Sequence, residues 1–487
     1  MRMNGYLELW LKHFALLWII SIVLTACSVH EPLKEPEFPL LEDQYQNSQT
    51  AETVERRGKW WDQLQSGLLN SLIEQAIQKN RSLKIQQTKI EQKLAAFGGA
   101  ESSVFPDFDG GASASRSQST TTGADGSTSA VQSDSFALSL SASYQFDLFG
   151  QNAAVISAAE LEILAAMEDY KGLLIEVAAD VASNWLGALE ILSQIELLEQ
   201  SLIDDKENLT LVTNGYHLGT AFLSDVVQAQ QQVLVTESQI PSAKGKLITF
   251  EHNLSSLVGN YPRSILKDTP DILLRDFPEV KAGLPSDLIK RRPDVRAALT
   301  RIKIADYQVA SAIAARFPRI SLSASTGTRS DSLEGILNTD NIIWNLIGNI
   351  TLPIFDAGRR KAEVERQKAI LRESVLNYQT VLFAAFLEVE ENLAKIELQQ
   401  EQNILIKKRL VLSSQNVQLI KQDYIQGLVD WPRVLTAQSQ YFDVQKSLIT
   451  GRAVLSDLKI ALLAALGGEW TDEYSNPASG KIVKIGE

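Results

Sequence analysis

Few side chains in this chain have the chemistry to act on a substrate. The four histidines, His13, His30, His217 and His252, are scattered, too sparse for a multi-ligand metal site. Cys27 is the only cysteine, so neither a disulfide framework nor a thiolate cluster is available. A Walker-type phosphate loop is absent from the sequence, which leaves the chain without an evident energy source of its own. The remaining candidates are charges beside two glycine-containing turns. Gly215-Tyr216-His217-Leu218-Gly219 leads into Asp225, and Tyr424-Ile425-Gln426-Gly427 leads into Asp430 and Arg433. An exposed ion pair among such residues contributes ~0–1 kcal/mol, which suits a reversible contact better than a reaction. The expectation is a protein that is not an enzyme and needs no cofactor.

The turns occur twice because the chain repeats. Gly150, Tyr216, Gly219, Val226, Ala229 and Gly259 recur as Gly358, Tyr424, Gly427, Val434, Ala437 and Gly467, each pair 208 residues apart. Each copy reads as two alternating strands, a long unbroken helix, a tight turn and a returning helix. In Ser135 to Asp147, Phe136, Leu138, Leu140, Ala142, Tyr144 and Phe146 alternate with mostly Ser, Ala and Gln. A period of two puts these sets on opposite faces of a sheet, and the length is enough for a tilted strand to cross a bilayer, which takes ~9–11 residues. Phe108 to Ser117 is a weaker strand, and the Ser/Thr/Gly-rich Gln118 to Asp134 reads as an exposed loop. In the second copy Ile320, Leu322 and Ala324 alternate with serines, and Trp344, Leu346, Ile350 and Leu352 alternate with Asn345, Ile347, Asn349 and Thr351.

No proline lies between Gly150 and Gly215, and neither proline nor glycine lies between Gly358 and Asp423; such spans extend ~100 Å at ~1.5 Å per residue. Leu174, Ala178, Val181, Trp185, Ala188 and Ile195 follow coiled-coil spacing, as do Tyr378, Leu382, Ala385, Val389 and Ile396, so both helices need partners. The returning helices are the nearest candidates, with Pro241 a candidate kink in the first. Four strands are too few for a membrane barrel, whose smallest closed forms have ~8, and an open sheet in lipid leaves amides unpaired at several kcal/mol each. The barrel is therefore expected to be shared between subunits; periodicity leaves two, three or four copies open.

The 46 basic and 59 acidic residues give a net charge of −13, which disfavours general nucleic-acid binding. At the N-terminus Arg2 and Lys12 precede the apolar run Phe14 to Leu24, which ends in Leu24-Thr25-Ala26-Cys27. This is the layout of an export signal, too short to remain as a spanning helix, and its end resembles a bacterial lipobox in which Cys27 is lipidated. No further apolar stretch is expected to be long enough for a spanning helix. Ser28, in place of the aspartate that often retains lipoproteins at the inner membrane, favours the outer one.

Gly283-Leu284-Pro285-Ser286-Asp287-Leu288 and Arg291-Arg292-Pro293-Asp294-Val295-Arg296 resemble a signature of TolC/OprM-type (NodT-like) outer-membrane efflux lipoproteins. Leu352-Pro353-Ile354-Phe355-Asp356-Ala357-Gly358 and Trp60-Trp61 with Leu69-Asn70-Ser71-Leu72-Ile73 are similar to other segments of that family. The resemblance implies an α+β membrane protein: a homotrimer with a 12-stranded outer-membrane barrel, four strands per chain, continuous with a periplasmic α-helical barrel and an equatorial domain. It implies an exit duct that conducts drugs, amphiphiles or metal ions passively, with an inner-membrane pump of the RND type, a periplasmic adaptor and outer-membrane lipid as partners. The adaptor is expected at the tips, on Gly215, Tyr216, Gly219, Tyr424 and Gly427, where the mouth also closes. Relatives often carry aspartates at the second tip; here Arg433 and Thr436 stand there, so Asp225, Asp430 and Arg433 are the gate candidates, with Asp225 and Arg433 holding the mouth through ionic contacts. Asp356 with Gly358 is expected to shape a strand-to-helix corner, and Pro293 with Asp294 a helix start.

The expected organisation is a signal at 1–26, a lipid-anchored tether at 27–63 and repeat 1 at 64–259 (strands about 106–117 and 135–148; helices about 64–102, 151–213 and 224–257). An equatorial connector follows at 260–290, then repeat 2 at 291–467 (strands about 318–328 and 342–354; helices about 294–315, 359–422 and 432–466) and an equatorial tail at 468–487. The competing reading is a lipid-anchored periplasmic coiled-coil scaffold or surface adhesin without conductance, which has no use for paired strands with a lipid-compatible face.

Overall fold

The computed structural model describes residues 30, 45, 59–64, 66–122, 124, 126, 128–266, 280, 285–467 and 470–471. The expected signal, Cys27, and most of the expected tether, connector and tail lie outside the described residues. In chain order the elements are α1 (Gly67–Lys79), α2 (Arg81–Glu101), β1 (Asp107–Thr122), β2 (Thr128–Phe146), α3 (Gln151–His217) and α4 (Leu223–Leu257). They continue as α5 (Pro285–Arg291), α6 (Pro293–Ala314), β3 (Arg319–Ser330), β4 (Ile342–Thr351), α7 (Arg359–Ile425) and α8 (Trp431–Ala465). The repeat is visible in the backbone: Gly150 and Gly358, Gly219 and Gly427, and Gly259 and Gly467 all take positive φ, at 74° and 83°, 75° and 75°, and 73° and 70°.

The chain divides into two units. The first includes Ile90–Ala165 and Ala298–Tyr378 and carries an antiparallel sheet of order β1-β2-β3-β4. The loop expected at Gln118 to Asp134 is much shorter, because β1 and β2 run on to the pair Thr122↔Thr128. Apolar alternation marks only the part of a strand that needs an apolar neighbour; beyond it, Ser and Thr keep the backbone ladder without that signal. Arg116, in the expected first strand, and Asp134, at the end of the expected loop, pair across the ladder at 2.6 Å. At the other end β4 stops at Thr351 rather than 354, since Pro353 has no amide to donate. The corner that follows is built as expected around Asp356, which accepts from the backbone N–H of Gly358 at 3.1 Å and Arg360 at 3.3 Å and from the Arg360 guanidinium at 2.9 Å.

The second unit includes Phe38–Lys89, Ala166–Ala297 and Gln379–Glu487. The stretch expected to be helical over 64–102 runs as two helices, α1 and α2, that meet at Asn80. Its side-chain oxygen accepts from the N–H of Ser82 and Leu83, starting α2, while its amide donates to the Leu257 carbonyl at 2.9 Å. Trp61, fully buried, meets Trp470 edge-on at 4.7 Å, tying the segment before α1 to the segment after α8. The seam residues Leu174, Ala178, Val181, Trp185 and Ala188 of α3 are buried, as are Leu382, Ala385 and Val389 of α7. In α3 an 18-residue window reaches a mean hydropathy of 1.2, long and apolar enough for a span, contrary to the sequence expectation. Of that window 56% is buried, so the apolar side chains already have packing partners. Helix α4 continues through Pro241.

Candidate functional site

Residues paired across an antiparallel ladder share a face, so the register sorts the whole sheet. The row Gly110–Leu140–Thr326–Trp344 lies on one face, and the adjacent row Asp109–Ser141–Ser325–Asn345 on the other. The first face carries Phe108, Leu138, Leu140, Leu322, Leu346 and Ile350, all exposed in the single chain, with Trp344 at 77%. The second is dominated by hydroxyls and amides: Ser139, Ser141 and Ser143 of β2 meet Gly327, Ser325 and Ser323 of β3. The Ser325 hydroxyl donates to the Asn345 side-chain carbonyl at 2.9 Å. Ile343 and Ile347 are apolar exceptions on this face. Strands β1 and β4 each pair on one side only. A sheet with one greasy face, one hydroxyl face and two free edges suits the wall of a water-filled pore completed by other copies.

Both hairpin tips lie in the second unit. α3 extends to His217 and α7 to Ile425, a few residues beyond expectation. The reason is that the stop is set by Gly219 and Gly427 rather than by Gly215, which is still helical. In each turn the residue after the glycine donates back: Thr220 to the Gly215 carbonyl at 2.8 Å and Leu428 to the Asp423 carbonyl at 2.9 Å. This closure requires a left-handed residue, and both glycines have φ 75°. Val212, Val226, Ala229, Trp431 and Val434 form one core beneath the two tips.

The tips differ in side chains. Tyr216 is exposed, whereas Tyr424 lies edge-on to the buried Trp431 at 5.4 Å. Burial pushes the Tyr424 phenol up, and the Asp225 carboxylate adds to the shift. Asp225 accepts the Phe222 N–H at 3.0 Å and so caps α4. The repeat places Arg433 at the position equivalent to Asp225, and Asp430 at the position of Phe222. Arg433 is exposed in the first turn of α8, and Asp430 makes no side-chain cap bond there. Among the described residues no ion pair joins Asp225 to Arg433 within one chain, since Asp225 is engaged by its own helix start and Arg433 points to solvent.

Sequence reading missed a buried polar group near these tips. Asp205 of α3 is buried and accepts from the Thr236 hydroxyl of α4 at 2.7 Å and from Gln232 at 3.5 Å. Burial raises its carboxyl, the two hydrogen bonds oppose that, Asp204 adds to it and Lys421 opposes it. The available signal was its place at the seven-residue step between the buried Leu198 and Val212. Also unforeseen was the Arg292 side chain of the Arg-Pro-Asp motif. It donates to Asp294, to Glu388 at 2.7 Å and to the Ala465 carbonyl at 2.8 Å, so this motif fastens α6, α7 and α8. No group of three or more metal-ligating side chains comes together among the described residues.

The sequence matches the family described as outer membrane efflux protein twice, over residues 72–260 and 284–468. It is 28% identical over 475 residues to the toluene efflux pump outer membrane protein TtgF of Pseudomonas putida, covering 95% of this chain and 98% of that protein. It is 27% identical over 462 residues to the cation efflux system protein CusC of Escherichia coli, covering 93% and 97%. A crystal structure of CusC superposes with a TM-score of 0.81 at 25% identity, covering 91% of this chain and all of that one. Two copies of the family's domain and four strands that cannot close alone lead to one conclusion: the chain belongs to the outer membrane efflux protein family and is one subunit of a trimeric efflux channel of the outer membrane.

Proposed function

We propose that the chain is a lipid-anchored exit duct that receives its cargo from a periplasmic adaptor and an inner-membrane pump, of the RND type, and conducts it passively. The observation that carries the reading is the register of the sheet, which puts hydroxyls and amides on the pore face and leaves both edges free for neighbouring copies. A lining dominated by hydroxyls and amides, with Asp109 among them, wets readily and recognises little, which fits passage of chemically varied drugs, amphiphiles or metal ions. Cys27 is the proposed lipidation site. The proposed adaptor contacts are the tips at Gly215, Tyr216, Gly219, Tyr424 and Gly427, which are held in a fixed backbone shape by their closing hydrogen bonds.

The proposed gate consists of Asp225, Asp430 and Arg433, with the ionic contact of Asp225 and Arg433 made between subunits. A cation in the first turn of a helix is disfavoured by ~0.3–1 kcal/mol, so Arg433 stands where local stability argues against it. Single-channel recording in planar bilayers tests the proposal. The wild type is expected to be mostly closed, with Arg433→Ala and Asp225→Ala each raising the open fraction. Unchanged closure in both variants would reject the gate, and absence of any conductance in the wild type and both variants would reject the duct.

A further inference from the structure

The row Ala112–Leu138–Thr328–Ile342 lies on the apolar face of the sheet, toward the end remote from the strand-to-helix corners. Beyond it come Ala114–Phe136–Ser330 and then the ion pair of Arg116 with Asp134, so the face turns polar there. This end of the apolar belt belongs to the outer leaflet. The β3–β4 connection, residues 331–341, folds back over it. Its 3-10 turn Glu334–Leu337 lies against Ser330, whose hydroxyl any side chain at Gly335 would strike. Phe136 is half-buried, unlike the exposed Leu138 and Leu140, and the Thr328 hydroxyl oxygen is buried. Ser330, Phe136 and Thr328 all stand on the apolar face, so the connection covers the lipid side of the sheet and not the pore side. It is braced internally: the Asn341 side-chain amide donates to the Gly335 carbonyl at 2.8 Å, and the Asn338 side chain accepts the Asp340 N–H at 3.1 Å.

Between connection and sheet lies a cavity of about 720 Å³, a size that suits a ligand site of ~300–1,000 Å³. Leu138, Leu140 and Ile342 of the sheet and Ile336 and Leu337 of the connection give it apolar walls, while Gly110 and Gly111 leave its floor bare. A void beside hydrocarbon fills with hydrocarbon, because its lining otherwise forfeits dispersion contacts. Lipid tails are as apolar as these walls, so the gain is one of packing. One lining residue differs in kind. Thr328 borders the same cavity, and its hydroxyl has no hydrogen-bond partner among the described residues. A buried hydroxyl is costly until it is paired, and a plain hydrocarbon chain offers it nothing.

We propose that the cavity holds one acyl chain of the outer-leaflet glycolipid, a chain bearing its own hydroxyl, which pairs with Thr328. The site continues the lipid-facing surface of the sheet. The Thr328 row lies four residues inside the pair Arg116–Asp134, or ~13 Å along the strand at ~3.3 Å per residue. The hydroxylated end of a chain reaches that depth when its head group sits at the level of the ion pair. The inference goes beyond conduction, which does not depend on it.

Native mass spectrometry of the purified full-length trimer tests this. The protein is titrated in detergent with lipid A, whose chains carry hydroxyls, or with phosphatidylethanolamine, whose chains do not. The wild type is expected to retain up to three lipid A molecules per trimer and to bind phosphatidylethanolamine more weakly. Thr328→Val keeps the shape and removes the hydroxyl. It should weaken lipid A retention ~2- to ~10-fold, the worth of one net hydrogen bond, and leave phosphatidylethanolamine unchanged. A Cβ at Gly110 meets open space, so Gly110→Phe fills the cavity and should abolish retention of both. Gly348→Phe is the control: it is equally open, on the same face and outside the cavity, and should behave as the wild type. Equal retention by Gly110→Phe and the wild type overturns the site. Unchanged lipid A retention in Thr328→Val, equal loss of both lipids there, or a wild type that prefers phosphatidylethanolamine overturns the hydroxylated occupant. If Gly110→Phe fails to fold, Leu337→Glu on the exposed connection replaces it, and unchanged retention in that variant overturns the site as well.

Discussion

Arginine placed at two successive positions of β2 separates the two faces of the sheet. Leu140 lies midway along the apolar row of β2, beside Gly110 and Thr326, and is 53% exposed in the single chain. Ser141, the next residue, lies beside Asp109 and Ser325 on the hydroxyl face. Leu140→Arg puts a guanidinium into hydrocarbon near the bilayer midplane, at ~2–4 kcal/mol per chain. At ~1.4 kcal/mol per factor of ten, the folding equilibrium falls ~30- to ~1000-fold for each subunit. Ser141→Arg puts the same group into water and should stay within ~0.5–1 kcal/mol of the wild type, as for most exposed substitutions. Urea unfolding of the protein from lipid vesicles reads the stabilities, and planar-bilayer recording reads the pore. Leu140→Arg is expected to lose stability, with unchanged ion preference in the fraction that folds. Ser141→Arg is expected to remain stable and shift conductance toward anions. Equal destabilisation by both, or a shift in ion preference from Leu140→Arg alone, would refute the assignment of faces.

Other substitutions test the packing around the site. A Cβ at Gly327 would run into the Leu138 carbonyl, which cannot retreat without breaking the β2–β3 ladder. Gly327→Ala should therefore cost ~1–3 kcal/mol, while Gly110→Ala, with open space around it, should be tolerated in the same unfolding assay. Arg292 is 14% exposed and serves two carboxylates and a carbonyl; Arg292→Ala should cost ~3–5 kcal/mol, measurable as a lower thermal midpoint. Asp205 has a carboxyl raised above its ordinary value, so its stabilising contribution is present below the unfolded pKa and is lost as pH rises through the folded one. Asp205→Asn should therefore raise the thermal midpoint at neutral pH, and the gain should shrink as pH falls below the folded pKa.

The parts of the fold that were legible in the sequence are those in which solvent imposes a pattern on side chains. Hydrocarbon on one side of the sheet forces the alternation from Phe136 to Phe146, and helix packing forces the sevens and fours through Leu174, Val181 and Ala188. Where no apolar partner is needed the pattern vanishes although the structure continues, as in Thr120 to Thr122 and their partners from Thr128. Helix ends were readable only within a few residues. Gly215 and Gly219 both precede a returning helix, and only the closing bond of Thr220 shows which one carries the left-handed turn. The Arg-Pro-Asp motif was visible as a string, but what Arg292 holds is a carbonyl 173 residues away, a pairing that local periodicity does not encode. Asp205 was hidden for a related reason: a carboxylate on a buried stripe conflicts with the period, and its partners lie on another helix.

Duplication explains why the proposed mouth can hold charge of both signs without a buried ion pair. The two tips share a backbone, with φ 75° at both glycines, so sequence divergence acts on side chains presented at equivalent places. At one such place the first copy has Asp225 and the second Arg433. In the proposed closed ring of three subunits the two kinds of tip alternate, so every Arg433 has an acidic neighbour on a different chain. Such contacts are exposed and each is worth ~0–1 kcal/mol, weak enough for docking of an adaptor to override them. They are also open to screening, whose length falls from ~8 Å at 0.15 M salt to ~3 Å at 1 M. The open fraction of the wild type should therefore rise with salt in planar bilayers, while Arg433→Ala, already lacking the contact, should show little salt dependence. If salt opened both proteins equally, the alternating charges would not be what keeps the mouth shut, and the apolar core around Trp431 would be the better candidate.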